Sequence, residues 1–244
     1  MPASRDPAAL YADIAVEGGL AAALQAAADK DGLGVSFEVS AADPLLHASV
    51  PSAVPHRSAL TVSAWAGERR WAIRGCEPFQ DLALVTGDTP DLVQIARAAQ
   101  GWHEGAGLDE IRRASSFVRL TGRFEVPDRD PAALTESEWQ HLRTEAGEKD
   151  WPQRRALVET AYAEPTLRAL YPFTSHWTLR FSTSTRPRLT VVPLCLDAWR
   201  EGPYTVSTRY MGEVVAETTT AEEAVATALG HLPPGLGPVT LGAP

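Results

Sequence analysis

Leu60-Thr61-Val62-Ser63-Ala64-Trp65, then Ala66-Gly67-Glu68, then Trp71-Ala72-Ile73-Arg74, is the stretch that decides the fold class of this chain. Apolar and polar residues alternate on both sides of a short turn, the pattern of an antiparallel hairpin with one face buried. Upstream, Val35-Ser36-Phe37-Glu38-Val39 alternates like a further strand, and the segment Asp43 to Arg57, with three prolines, reads as a loop. Ala8 to Asp29 reads as a helix, with Leu10, Ile14, Leu20 and Leu24 at helical spacing and Gly18-Gly19 loosening or breaking it. Downstream, Asp81 to Val85 gives another strand. Thr89 as N-cap, Pro90 at the first helical position and Asp91 at the positive end of the dipole then open a helix that stops at Gly101.

The second half repeats the plan. Trp151 to Leu170 is expected to be helical, broken or kinked at Pro165. Strands follow at Trp177 to Ser182, Leu189 to Leu194, Tyr204 to Tyr210 and Glu213 to Glu217. A last helix begins at Thr219 or Thr220, with Glu222 or Glu223 completing a capping box, and stops at Pro233-Pro234. A constant offset of 119 residues sets Leu60 to Ser63 on Leu179 to Ser182 and Cys76 on Cys195. The expectation is an α+β protein of two similar helix–antiparallel sheet–helix modules, residues 8–102 and 151–234, related by internal duplication. Residues 103–150 form a mixed connecting segment between them: a short helix at Leu108 to Arg113, a strand at Phe117 to Phe124 and an acidic helix at Thr135 to Glu145.

Composition narrows the function classes. Of 244 residues 44% are apolar and 22% charged, which excludes wholesale disorder. No run approaches the ~18 apolar residues of a membrane helix, and no apolar leader follows Met1, so a cytoplasmic protein with no membrane partner is expected. Lys+Arg number 22 against 31 Asp+Glu, a formal charge of −9 that argues against nucleic acid as a partner. Only Lys30 and Lys149 are lysines, a usage associated with high-GC, actinomycete-like genomes. Cys76 and Cys195 allow no disulfide framework and read as buried small hydrophobes at equivalent strand ends. No phosphate loop, nucleophile elbow or Cys-x-x-Cys pair is present, and the glycine-rich Gly101 to Gly107 follows a helix, as a C-cap and loop would. No two of the six histidines are four apart, so neither a metal nor another cofactor is expected.

One band departs from its surroundings. Pro165 to Leu196 holds Arg168, Arg180, Arg186, Arg188 and His176 without one Asp or Glu. Strand periodicity puts His176, Thr178, Arg180 and Ser182 on one face and Trp177, Leu179 and Phe181 on the other. The expected site uses Ser175, Thr178, Arg180, Arg186 and Arg188 to hold a carboxylate or phosphate, with His176 as proton donor or acceptor. The alternative is structural: the arginines pair with the acidic helix around Glu136, Glu138, Glu145 and Glu148. Ser175 and His176, as strand neighbours, point to opposite faces and make no catalytic dyad.

Leu157-Val158-Glu159-Thr160-Ala161-Tyr162-Ala163-Glu164-Pro165, continued by Leu167 to Ser182, resembles an actinobacterial domain-of-unknown-function family whose members carry the label "natural product biosynthesis protein". Gly18-Gly19-Leu20, Asp88 to Leu92 with the helix ending at Trp102, and Thr220 to Val225 with Leu232-Pro233 extend the likeness over nearly the whole chain. Between Arg112 and Arg129 the sequence departs from the family, which is richer there in Pro and Trp. The resemblance implies a place in specialised metabolism and no residue-by-residue mechanism. The expected function is an accessory or binding protein of such a pathway, taking an anionic small molecule or peptide. The alternatives are a metal-free pathway enzyme, with His176 as acid–base and Arg180, Arg186 and Arg188 as anion clamp, and a toxin-neutralising partner of a basic protein.

Overall fold

The structure, a computed structural model, describes residues 7–243; Met1 to Asp6, read above for a leader, and Pro244 lie outside the described residues. The chain divides into two compact units, Met1–Thr121 and Gly122–Pro244. Each is α+β, with helices laid on an antiparallel sheet.

The first unit opens with α1 (Pro7–Leu10), α2 (Ala12–Val16) and α3 (Leu20–Lys30). The single helix expected over Ala8 to Asp29 is therefore interrupted. At the last interruption Gly18 and Gly19 take φ of 95° and 114°, and a Cβ on Gly19 would stand 2.6 Å from the Pro44 carbonyl oxygen. Only glycine tolerates that backbone at that distance. There follow β1 (Glu38–Val39), β2 (His47–Val50), β3 (Leu60–Ala64), β4 (Trp71–Cys76) and β5 (Ala83–Thr89), then α4 (Leu92–Glu104), α5 (Leu108–Ala114) and β6 (Val118–Leu120). The six strands lie in chain order, each antiparallel to the next, and the hairpin pairs Val62 with Ile73 and Ala64 with Trp71. Leu24, Val62, Trp71, Ile95 and Trp102 are buried in one core.

Three expectations change here. The segment Asp43 to Arg57 is not all loop, because β2 pairs with both β1 and β3. Thr89 ends β5 instead of capping α4: Asp91 is the cap, its carboxylate accepting from Val93 N at 2.9 Å, while Thr89 Oγ1 accepts from Asp91 N. The helix also runs past Gly101 to Gly105, whose φ of 78° forms the left-handed stop.

The second unit holds α6 (Pro131–Glu148), α7 (Pro152–Ala163) and α8 (Pro165–Arg168), the meander β7 (Tyr171–Ser175), β8 (Thr178–Ser182), β9 (Val191–Ala198), β10 (Tyr204–Ser207) and β11 (Val214–Thr218), and α9 (Ala221–Gly230). Proline cannot donate to the ladder of a preceding turn, so the expected helix to Leu170 breaks at Glu164, whose carboxylate caps α8. The capping box of α9 forms between Thr220 and Glu223. Trp139, Leu157, Leu179, Phe181, Leu196 and Val206 are buried together between helices and sheet. A fully buried Leu or Phe contributes about 1.5–3 kcal/mol, so this face fixes the strand register.

The two helix-on-meander units fit an internal duplication, with β3–β4 and β8–β9 as the hairpins at the 119-residue offset. Cys76 and Cys195 are both buried, but only Cys76 ends its strand; Cys195 lies within β9. The segment 103–150 is shared between the units. β6 pairs with β5 in the first, and α6 packs in the second.

Candidate functional site

The band 165–196 is built from the β7–β8–β9 meander and its two turns. β7 and β8 pair Ser175 with Thr178, leaving His176 and Trp177 as a two-residue turn. Their φ values are 50° and 75°. Two-residue hairpins need positive φ, which costs an L-residue about 1–2 kcal/mol and normally selects Asn and Gly. Tertiary contacts hold these bulky residues there. The His176 ring stacks on Tyr210 at 5.9 Å, and its Nδ1 is 2.7 Å from the Tyr210 hydroxyl. The Trp177 ring lies 6.2 Å from Trp151 and 4.3 Å from Lys149 Nζ, and its carbonyl accepts from Arg154 Nη1.

The expected one-face row is corrected by this turn. His176 is not on the strand but in the turn, and Trp177, expected inward, is 41% exposed. Thr178 and Ser182 are buried and spend their hydroxyls within the protein. Thr178 donates to Asp197, and Ser182 Oγ to the carbonyls of Ser184 and Thr190. Ser175 Oγ is 3.5 Å from His176 Nδ1, the limit of a hydrogen bond, while Tyr210 holds the same nitrogen far closer. Ser175 and His176 therefore do not point to opposite faces as strand alternation predicted, because His176 has left the strand for the turn.

Arg180 is half-buried at the centre of β8, opposite Phe173 on β7 and Cys195 on β9. Its guanidinium carbon is 5.1 Å from the Phe173 ring centroid and 5.5 Å from that of Tyr210. Its Nε is buried without a hydrogen-bond partner, and no carboxylate of the described residues lies within ion-pair distance. Burial pushes the Cys195 thiol up, against the opposing pull of Arg180. Burial likewise raises the Asp197 carboxyl, against the hydrogen bond from Thr178 and the charge of Arg154.

Ser175, His176 and Arg180 thus come together around Tyr210. Arg186 and Arg188 do not join them. They sit in the loop that extends β8 and β9 beyond Ser182, where Thr183 N donates to the Thr190 carbonyl, so they lie past the other end of the strand. The five-residue β8 alone spans about 13 Å at the usual rise per residue. Arg168 meets the structural alternative, paired with Glu136 at 3.0 Å. Strand periodicity points to neither of the rings that flank Arg180, those of Tyr210 and the buried Phe173. Tyr210 was assigned to a strand over Tyr204 to Tyr210, but β10 ends at Ser207; Gly212, just beyond, was the available signal. Among the described residues no group of three or more His, Cys, Asp or Glu side chains is placed to hold a metal ion, and no helix is long and apolar enough to cross a membrane.

Residues 133–243 match the sequence model of a family described as "Family of unknown function (DUF6193)". The match runs from α6 to the C-terminal segment and so contains the whole meander with His176, Arg180 and Tyr210. No curated protein and no solved structure matches the chain.

Proposed function

We propose that the second unit recognises an anion, and that the protein is an accessory or binding protein of a specialised-metabolite pathway taking a small molecule or peptide that bears a carboxylate or phosphate. The observation that carries this reading is the state of Arg180. In a chain with 31 acidic residues, a half-buried guanidinium is left without a carboxylate, flanked by two aromatic rings and next to an imidazole anchored by Tyr210. A buried charge is costly unless paired, so a guanidinium kept unneutralised is suited to a partner that arrives with the opposite charge. The pathway context rests on the resemblance of residues 157–182 and on the lysine-poor composition. Arg186 and Arg188, at the far end of β8, are not part of this proposed site.

The test is calorimetric titration with citrate and with pyrophosphate at low ionic strength. Wild type should bind at least one of them, and Arg180→Met should weaken it about tenfold or more, since one charge-assisted contact is worth ~1.5–3 kcal/mol. Binding by neither anion, or equal binding by the variant, overturns the reading. A second reading, a metal-free enzyme, is favoured by the 2.7 Å contact that anchors Nδ1 of an exposed His176 through Tyr210 and leaves Nε2 for proton transfer. It requires His176→Ala to abolish turnover with the fold intact.

A further inference from the structure

In the second unit a cavity of about 410 Å³ opens between α6, α8 and the C-terminal segment, with no β8 residue in its lining. Its walls are Ala132, Pro165, Ala169, Pro238 and Val239 with the polar Thr135, and its charged groups are Arg168 and Glu136. The volume falls in the range of small-ligand pockets, which are mainly apolar with a few placed polar groups.

The two charges are not equivalent. Glu136 is saturated: Oε1 accepts from Tyr162 Oη and Gln140 Nε2, both at 2.6 Å, and Oε2 from Arg168 Nε at 3.3 Å and Nη2 at 3.0 Å. Burial pushes its carboxyl up, but these hydrogen bonds together hold it below the ordinary value. Arg168 spends two nitrogens on one carboxylate oxygen and lays its plane 4.4 Å from the Tyr162 ring centroid. Its Nη1 donates to nothing among the described residues, and the side chain is 50% exposed. The guanidinium is held in place from one side and keeps a free edge.

We propose that this cavity is a second binding site, for a small and mainly apolar molecule carrying a single anionic head group, with the apolar body against the Ala–Pro–Val walls and the head group on the free edge of Arg168. The commitment to an anion follows from charge: of the two charged groups the cation keeps an open edge, while the Glu136 carboxylate is already met by four hydrogen bonds, and Thr135 spends its hydroxyl proton on the Pro131 carbonyl.

Anilinonaphthalenesulfonate, an arene with one sulfonate, is the probe, and the neutral dye Nile red is its control. Wild type should bind the sulfonate saturably under native conditions. Ala169→Trp, which fills the cavity, should weaken it about tenfold or more, equivalent to ~1.4 kcal/mol. Val239→Trp, on the opposite wall segment, is the second filling variant should the first not fold, as judged by circular dichroism. Arg168→Met, which keeps the apolar stem, should weaken the sulfonate several-fold and leave Nile red unchanged. Each titration is repeated in the Arg180→Met background, where the anion site on β8 is disabled, so that the effects of Ala169→Trp and Arg168→Met there read this cavity alone. No binding of the sulfonate by wild type, undiminished binding by a folded filling variant, or equal loss of both dyes in Arg168→Met overturns the proposal.

Discussion

Arg123 and Glu138 allow the consequence of a single interaction to be worked out from the structure. Arg123 Nε donates to Glu138 Oε2 at 2.6 Å and Nη2 to Oε1 at 2.9 Å, a fork-to-fork pair whose side chains are only 10% and 6% exposed. Beside it, Phe124 N donates to Ser137 Oγ at 3.0 Å and Ser137 Oγ donates to the Phe124 carbonyl at 3.1 Å. Together these contacts fasten the segment after Gly122 to α6, the helix that walls the apolar cavity. Replacing Glu138 by Met leaves the guanidinium buried without its carboxylate, and Arg123→Met strands the carboxylate in the same way. Removing one partner of a buried pair costs about 3–5 kcal/mol, whereas replacing both with apolar groups of similar volume is close to neutral. Each single variant should therefore lose ~3–5 kcal/mol, and the double Met variant should return to within about 1–2 kcal/mol of wild type. In a unit of this size such a loss lowers Tm by about 10–20 °C. Urea denaturation followed by tryptophan fluorescence reads it, Trp139 being fully buried in the same unit. Single variants that each cost under ~1 kcal/mol would refute the reasoning, as would a double variant whose loss is the sum of the singles.

Two other outcomes are expected. Gly122 has φ of 87°, and a Cβ there would stand 2.3 Å from Thr144 Oγ1 and 2.7 Å from the Gln140 carbonyl, so Gly122→Ala should cost about 2–3 kcal/mol or more in the same urea assay. Because burial raises the Asp197 carboxyl above its ordinary 3.8, its share of stability is full in acid and falls as pH rises through the shifted value. Asp197→Asn should remove that fall, so its advantage over wild type should grow with pH across the acid range and then level off; parallel stability–pH curves would refute this.

What the sequence made legible follows from how local each signal is. The hairpin at Leu60 to Arg74 could be read because alternation and turn lie within fifteen residues. β2 was hidden: His47-Ala48-Ser49-Val50 has one large apolar residue and prolines at 44 and 51, and it becomes a strand by pairing on both sides. The cap of α4 moved two residues because Thr89 was needed to finish β5 opposite Trp71. The His176-Trp177 turn lacks the Asn-Gly signature, since its conformation is enforced by Tyr210, Trp151 and Arg154, distant in sequence. For the same reason the pairing of Arg168 with Glu136 was foreseeable from an acid-rich helix, whereas the isolation of Arg180 depends on two rings that converge only in three dimensions.

In both sheets every strand bonds only to its predecessor and successor along the chain, β1 through β6 and β7 through β11. Apart from β6, which reaches β5 only after α4 and α5, no strand among the described residues waits for a distant segment to return beside it, so the entropy of closing those loops is small and is repaid as soon as the next strand arrives. Each sheet can grow from a first hairpin outward, one rung at a time. Rapid refolding, at the fast end for proteins with this much sheet, is the kinetic trace such an order should leave.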